Sequence, residues 1–271
     1  MTERAAPRDS LDLRALRDGG RRVIPWDAPD DPALDAARRE DVGHAWRSRM
    51  EQEHLAVGAF SILATELAEE GCDSVVLALV TRAASDEVRH TDVCRRLAVR
   101  HLGEAAVAQR LRGVPAYRER AGFALEDRTL LHVLEMSCLN ETFTGAYLTA
   151  MLERTTQPTA RAAVESLLED EIDHGRLGWA YLARACEAGR AAVVARALPE
   201  LLLETVKPVM DDAVAHPEPD DAIKEAHAWL GNVAARAIYA RTLRDVILPG
   251  MRELGVALDT TLALCRREGW F

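Results

Sequence analysis

The chain has 271 residues with 34 basic and 44 acidic side chains, a formal charge of −10, and it is 48% apolar but only 5% aromatic. That apolar content supplies a core for one large domain or two small ones and excludes intrinsic disorder. The acidic balance, with no Lys/Arg stripe to release phosphate counterions, excludes nucleic acid and anionic membrane as partners.

Five cysteines, scattered and never in a C-x-x-C pair, argue against a disulfide framework or a zinc ribbon and for a reducing, cytoplasmic setting. The N-terminus is charged and no apolar run approaches membrane-spanning length, so neither a signal peptide nor a transmembrane helix is expected. Residues 1–30 read as an extended N-terminal arm, lying across the domain or free of it. From about residue 31 the pattern is helical nearly throughout, with apolar residues recurring three to four apart. Asp31 and Pro32 read as a cap and first-turn proline opening a helix that runs to Gly71, with a bend at Gly43. Asp73 or Ser74 caps a second helix ending near Gly103. Residues 104–125, with Gly113, Pro115 and Gly122, read as a long connection. A third helix is expected over 126–154 and a fourth from Pro158 to about Gly189. Two amphipathic helices, about 191–216 and 220–247, precede a Pro249-Gly250 break and a short tail. Two hairpins of long helices joined by one crossover give an all-α four-helix bundle over 31–189. Residues 190–271 are a C-terminal helical extension that packs on the bundle or supplies a homodimer face.

The informative motif is Glu-x-x-His, which sets a carboxylate and an imidazole one turn apart on one helix face. Random placement of 24 Glu and 8 His yields fewer than one copy, yet three occur: Glu51–His54, Glu87–His90 and Glu171–His174. Helical phase separates them. Glu87 and His90 share a face with Val80, Ala84, Cys94 and Leu97, and Glu171 and His174 share one with Val164, Leu167, Gly178 and Leu182. Lone ionised carboxylates in such places cost several kcal/mol, and a metal cation removes that cost. A metal-free network of buried salt bridges is the less favourable alternative. The other two helices should each offer one inward carboxylate at the same height. Glu141 lies on a face with Leu134, Cys138 and Leu148 and is as far from the turn near Thr156 as Glu171 is. Glu53 shares a stripe with Ala56, Phe60, Leu63 and Leu67, whereas Glu51 and His54 face outward and Glu135 and His132 are out of phase. The expected metal ligands, and the residues carrying the chemistry, are therefore Glu53, Glu87, His90, Glu141, Glu171 and His174. One Glu from each of two helices and one Glu-x-x-His from each of the other two is a di-iron or di-manganese arrangement, and oxygen-rich ligation suits those metals better than zinc.

On Glu53, Asp86-Glu87-x-Arg89-His90, Glu141 and Asp170-Glu171-x-x-His174, residues 45–187 resemble the ferritin-like diiron-carboxylate superfamily. The resemblance implies two iron ions, or manganese at one or both sites, and an oxidase or oxygenase using O2 as co-substrate on a small organic molecule, with an external electron donor. Hydroxylation, N-oxygenation, desaturation and carbon–carbon cleavage stay open, and natural-product biosynthesis is an attractive setting. It further implies that Asp86 orients His174 and Asp170 orients His90. Cys94 stands where a radical-bearing tyrosine would be, and the cysteine pairs of a rubrerythrin are missing. A ferritin-type iron-oxidising or iron-storing protein is the alternative, disfavoured by the helical extension after Gly189.

Overall fold

The structure, a computed structural model, describes residues 23–107 and 122–271. Among these residues every regular element is helical, and no helix is long and apolar enough to cross a membrane. The long helices are α1 (Ala36–Glu69), α2 (Ser74–Leu102), α3 (125–154) and α4 (Pro158–Ala185). They are followed by α5 (Ala191–Thr205), α6 (Lys207–Ala215), α7 (Asn232–Thr242), α8 (Leu248–Glu253) and α9 (Asp259–Arg267).

Local chemistry sets most boundaries. Asp35, not Asp31, caps α1 by accepting from the Arg38 N–H at 2.9 Å, while Asp31 accepts from Ala33 N–H in the preceding turn. α1 passes Gly43 unbroken. A Cβ there would lie 2.5 Å from Leu102 Cγ, so the glycine lets α1 approach the end of α2 and does not bend the helix. Asp73 caps α2, Gly103 ends it at φ 84°, and Gln157 caps α4 through Ala160 N–H, with Pro158 in the first turn. The expected fifth helix breaks at Val206, before Pro208, into α5 and α6. The expected sixth is a single turn at Ala222–Glu225 and then α7, whose helical path continues through a π segment, Leu243–Ile247, into α8. Pro249 and Gly250 thus lie inside a helix instead of breaking it. Pro249 occupies a first-turn position, and Gly250 gives room to the Trp179 ring, 2.9 Å from where a Cβ would sit. The expected tail contains α9.

α1 packs along α2 and α3 along α4, and α2 faces α4. α5 lies against the first half of α3 and α7 against its second half. Residues 23–35 cross the ends of α2 and α4. Arg100 donates to the Trp26 and Ala28 carbonyls and pairs with Asp30, and the Thr159 hydroxyl donates to the Pro25 carbonyl at 2.7 Å. Residues 1–22 of the expected arm, and 108–121 of the crossover, lie outside the described residues.

Two apolar clusters divide the interior. One holds Phe60, Leu63, Val80, Ala83, Leu134 and Leu177, the other Trp46, Met50, Cys94, Leu97, Leu148 and Leu167. α1 to α4 each run from one cluster to the other, and Glu53, Glu87, His90, Glu141, Glu171 and His174 lie in the belt between.

α3 departs from a regular helix. Leu125–Val133 and Glu141–Arg154 are joined by a π segment, Leu134–Asn140, of the kind often found at functional sites. It runs against α4 at Gly178, where an added Cβ would come within 2.4 Å of Ser137 Cβ and 2.7 Å of the Ser137 carbonyl carbon. Gly178→Ala is therefore expected to force α4 off the π segment at a cost of about 3 kcal/mol, a fall in Tm of roughly 10 °C. Gly175→Ala, where the nearest atoms are 3.8 Å away, should raise Tm slightly by helix propensity. Thermal denaturation of the two variants checks both.

Candidate metal centre

All six predicted ligands are buried and brought together. Their ligand atoms form two sets, each with its members within 4.8 Å of one another: Glu53, Glu87, His90 and Glu171, and Glu87, Glu141, Glu171 and His174. Glu87 and Glu171 belong to both sets. His90 Nδ1 lies 3.3 Å from Glu87 Oε2, 3.4 Å from Glu171 Oε1 and 3.5 Å from Glu53 Oε2. His174 Nδ1 lies 3.2 Å from Glu87 Oε1 and 3.1 Å from Glu171 Oε2.

The outer nitrogens face the two aspartates that precede each motif. His90 Nε2 is 3.2 Å from Asp170 Oδ2, and His174 Nε2 is 3.5 Å from Asp86 Oδ2. The hydrogen bond of His90 Nε2 to Asp170 favours the Nε2–H tautomer and leaves the Nδ1 lone pair aimed into the carboxylate belt. Asp86 biases His174 the same way by charge, across a longer gap without a well-aligned hydrogen bond. Asp170 is in turn held by Arg89, and Asp86 by Arg82 at 3.3 Å. Arg89, which breaks the symmetry with Asp173 of the second motif, thus buttresses the neighbouring motif's aspartate.

Charge confirms how unusual the belt is for a protein interior. Burial, and then the charges of Glu87 and Glu171, push Glu53 up to about 8, with His90 opposing. Burial and Glu171 push Glu141 well above the usual carboxylate range. Burial alone would raise Glu87 and Glu171 too, but the two facing histidines bring both below it. Burial alone would lower the histidines, yet His90, facing Glu171, Glu53 and Glu87, and His174, facing Asp86, Glu171 and Glu87, are both raised well above the ordinary imidazole value. Both Glu87 oxygens and His90 Nδ1 are buried without a well-aligned hydrogen-bond partner. Buried polar atoms are normally paired, and a cation held between the two motifs would satisfy all three. Four carboxylates and two imidazoles balance two divalent ions and supply an oxygen-rich donor set, so the residues fit such a pair.

No family model, curated protein or solved structure matches this chain. The site is therefore read from its own chemistry.

Glu51 is exposed and His54 half-buried, away from the belt, as their phase indicates. Phe60 packs on the His174 ring at 5.2 Å, and Cys94 and Cys138 are buried core residues. Trp179 donates to Thr142 Oγ1 at 2.9 Å, and Tyr239 stacks on Phe143 at 4.5 Å. Two buried polar groups escaped sequence reading. Glu66 receives Arg128 and His132, each at 2.6 Å. Asp30, His101 and His227 meet beneath the arm within 4.8 Å. Burial, foremost, pushes His101 down to about 4 and lowers His227 as well. Asp30 is already neutralised by Arg39 and Arg100, so this second group is a clasp for the arm and a poor cation site. Its members are far apart in sequence, on the arm, the end of α2 and an irregular segment, with no spacing to reveal them.

Proposed function

We propose that the chain is a ferritin-like diiron-carboxylate protein of the oxidase or oxygenase branch, with α1 to α4 as its four-helix bundle, which oxidises a small organic molecule with O2. The observation that carries this reading is the sharing of Glu87 and Glu171 between two ligand sets, since a bridged pair of cations needs two carboxylates common to both positions. The metals, iron or manganese, supply the electrons and the binding site for O2. The chain does the rest. Asp86 and Asp170 fix the imidazole tautomers, the apolar clusters on either side exclude water, and Phe60 holds the His174 ring in place.

The test is anaerobic loading with Fe(II), followed by metal analysis and oxygen-electrode measurement. Two ions per chain and O2 uptake that stops at that stoichiometry, or continues only with a reductant, support the reading. Continued iron uptake into a mineral core selects the ferritin-type alternative, and no binding at the belt rejects both.

A further inference from the structure

The side chain of Arg49 has no carboxylate partner among the described residues. Its Nη1 is buried without a hydrogen-bond partner, its Nη2 reaches Met151 Sδ at 3.5 Å, and its guanidinium lies over the Trp46 ring at 4.5 Å. Most other arginines of the described chain are tied to acids, whereas the half-buried Arg49 keeps an inward Nη1 that nothing pairs, which is costly. Its other polar neighbour is the Tyr147 hydroxyl, a neutral group that accepts from the guanidinium.

Position gives the cation a meaning. Arg49 is one helical turn before Glu53 on α1, on the same face, about 6 Å along the axis. Cys94, one turn past His90, feels both Glu53 and Arg49. On the opposite wall Gly145 is one turn past Glu141, and a Cβ added there would meet nothing within 4 Å. α1 is in close backbone contact with α2, but it has few such approaches to Glu141–Arg154. The small exposure left at the metal ligands is greatest at Glu53, 7%, and Glu141, 6%, against 0–3% for the other four. The belt is thus most open between α1 and the second half of α3, and the unpaired guanidinium stands one turn along that seam.

We propose that Arg49 anchors the carboxylate of the substrate, which enters between α1 and Glu141–Arg154 and turns its hydrocarbon part toward Glu53 and Glu141. This rests on the oxidase or oxygenase reading of the same centre. It narrows the substrate class to compact organic acids whose oxidisable carbon lies roughly 6 Å from the carboxylate, the rise between Arg49 and Glu53. A guanidinium meets a carboxylate with two parallel N–H donors, which Arg49, with Nη1 unpartnered and Nη2 on a weak sulfur acceptor, can turn to a ligand, and the Tyr147 hydroxyl adds a third.

The experiment titrates full-length protein, metal-free and metal-loaded, with sodium benzoate and sodium hexanoate and with the uncharged benzamide and hexanamide. It follows heat and the tryptophan fluorescence, to which Trp46 beneath the guanidinium contributes. The carboxylates should bind at least ~10-fold more tightly than their amides in both metal states. Arg49→Met, which keeps contact with Trp46 and Met151, should weaken carboxylate binding ~10–100-fold without loss of metal. Equal binding of acids and amides by the unaltered protein overturns the proposal even if the variant fails to fold, and so does an unchanged carboxylate affinity in folded Arg49→Met. Two bound metals without carboxylate preference would overturn the anchor alone. Arg49-dependent carboxylate binding in a chain that takes up no metal would uphold the anchor and overturn the oxidase reading.

Discussion

Glu171→Ala is expected to abolish binding of both metals, not of one. Its two oxygens face both imidazoles, Oε1 at 3.4 Å from His90 Nδ1 and Oε2 at 3.1 Å from His174 Nδ1, so each position loses a carboxylate at once. Glu87→Ala should do the same, because its oxygens are divided between the histidines in the same way. Glu53 and Glu141 each belong to one set only. Glu53→Ala should leave the Glu87, Glu141, Glu171, His174 position filled, and Glu141→Ala the other. Each should weaken its own position by more than the ~10–100-fold that follows loss of an outer hydrogen-bonding partner. Metal analysis of protein recovered from gel filtration separates the cases: none per chain for the shared residues and one for the unshared. Two ions retained in Glu171→Ala would contradict the shared geometry outright.

The convergence of the six side chains could be read from sequence because its information is local. An i, i+3 pair on a helix fixes relative direction, helical phase decides which copies face inward, and equal distance from a turn fixes height, so Glu53 and Glu141 could be chosen over Glu51 and Glu135. What could not be read depends on neighbours. The π segment at Leu134–Asn140 has no compositional mark; the close seat of Ser137 on Gly178 belongs to tertiary packing. Pro249-Gly250 reads as a break because its local preference is strong, yet the Trp179 ring needs that glycine inside a helix. Asp31 and Asp35 are equally good caps on paper, and the course of the arm selects the second. Arg49 looks like any arginine on a charged helix. What sets it apart in three dimensions is a buried Nη1 without a partner and no ion-paired acid among the described residues.

The belt's contribution to the stability of the metal-free protein should fall as pH rises from about 5 to about 8, and from about 6.5, where the lowered His101 and His227 no longer add stability with pH, the whole protein should follow it; metal should reverse that trend. Glu53, held up to about 8, and Glu141, held well above 4.5, keep protons that the unfolded chain gives up above 4.5, so their contribution declines across this window. His90 and His174 act in the same sense. Their folded values are raised, so the stability they add is full below the unfolded value of 6.5 and is lost as pH rises through the folded one. Glu87 and Glu171 have lowered values, and their contribution, present above 4.5, is lost only as pH falls through the folded values. Together with His101 and His227, whose lowered values add stability as pH rises toward 6.5, these place the metal-free optimum near the ordinary imidazole value. Divalent ions need the same groups deprotonated, so filling both positions near neutral pH should release protons from Glu53, Glu141, His90 and His174, and metal affinity should climb with pH. Melting curves of chelator-treated and loaded protein across the window, with calorimetric titrations in buffers of different ionisation enthalpy, measure both effects. A metal-free Tm that rises toward pH 8, or metal binding without proton release, would mean that the six side chains are not the ones exchanging protons for metal.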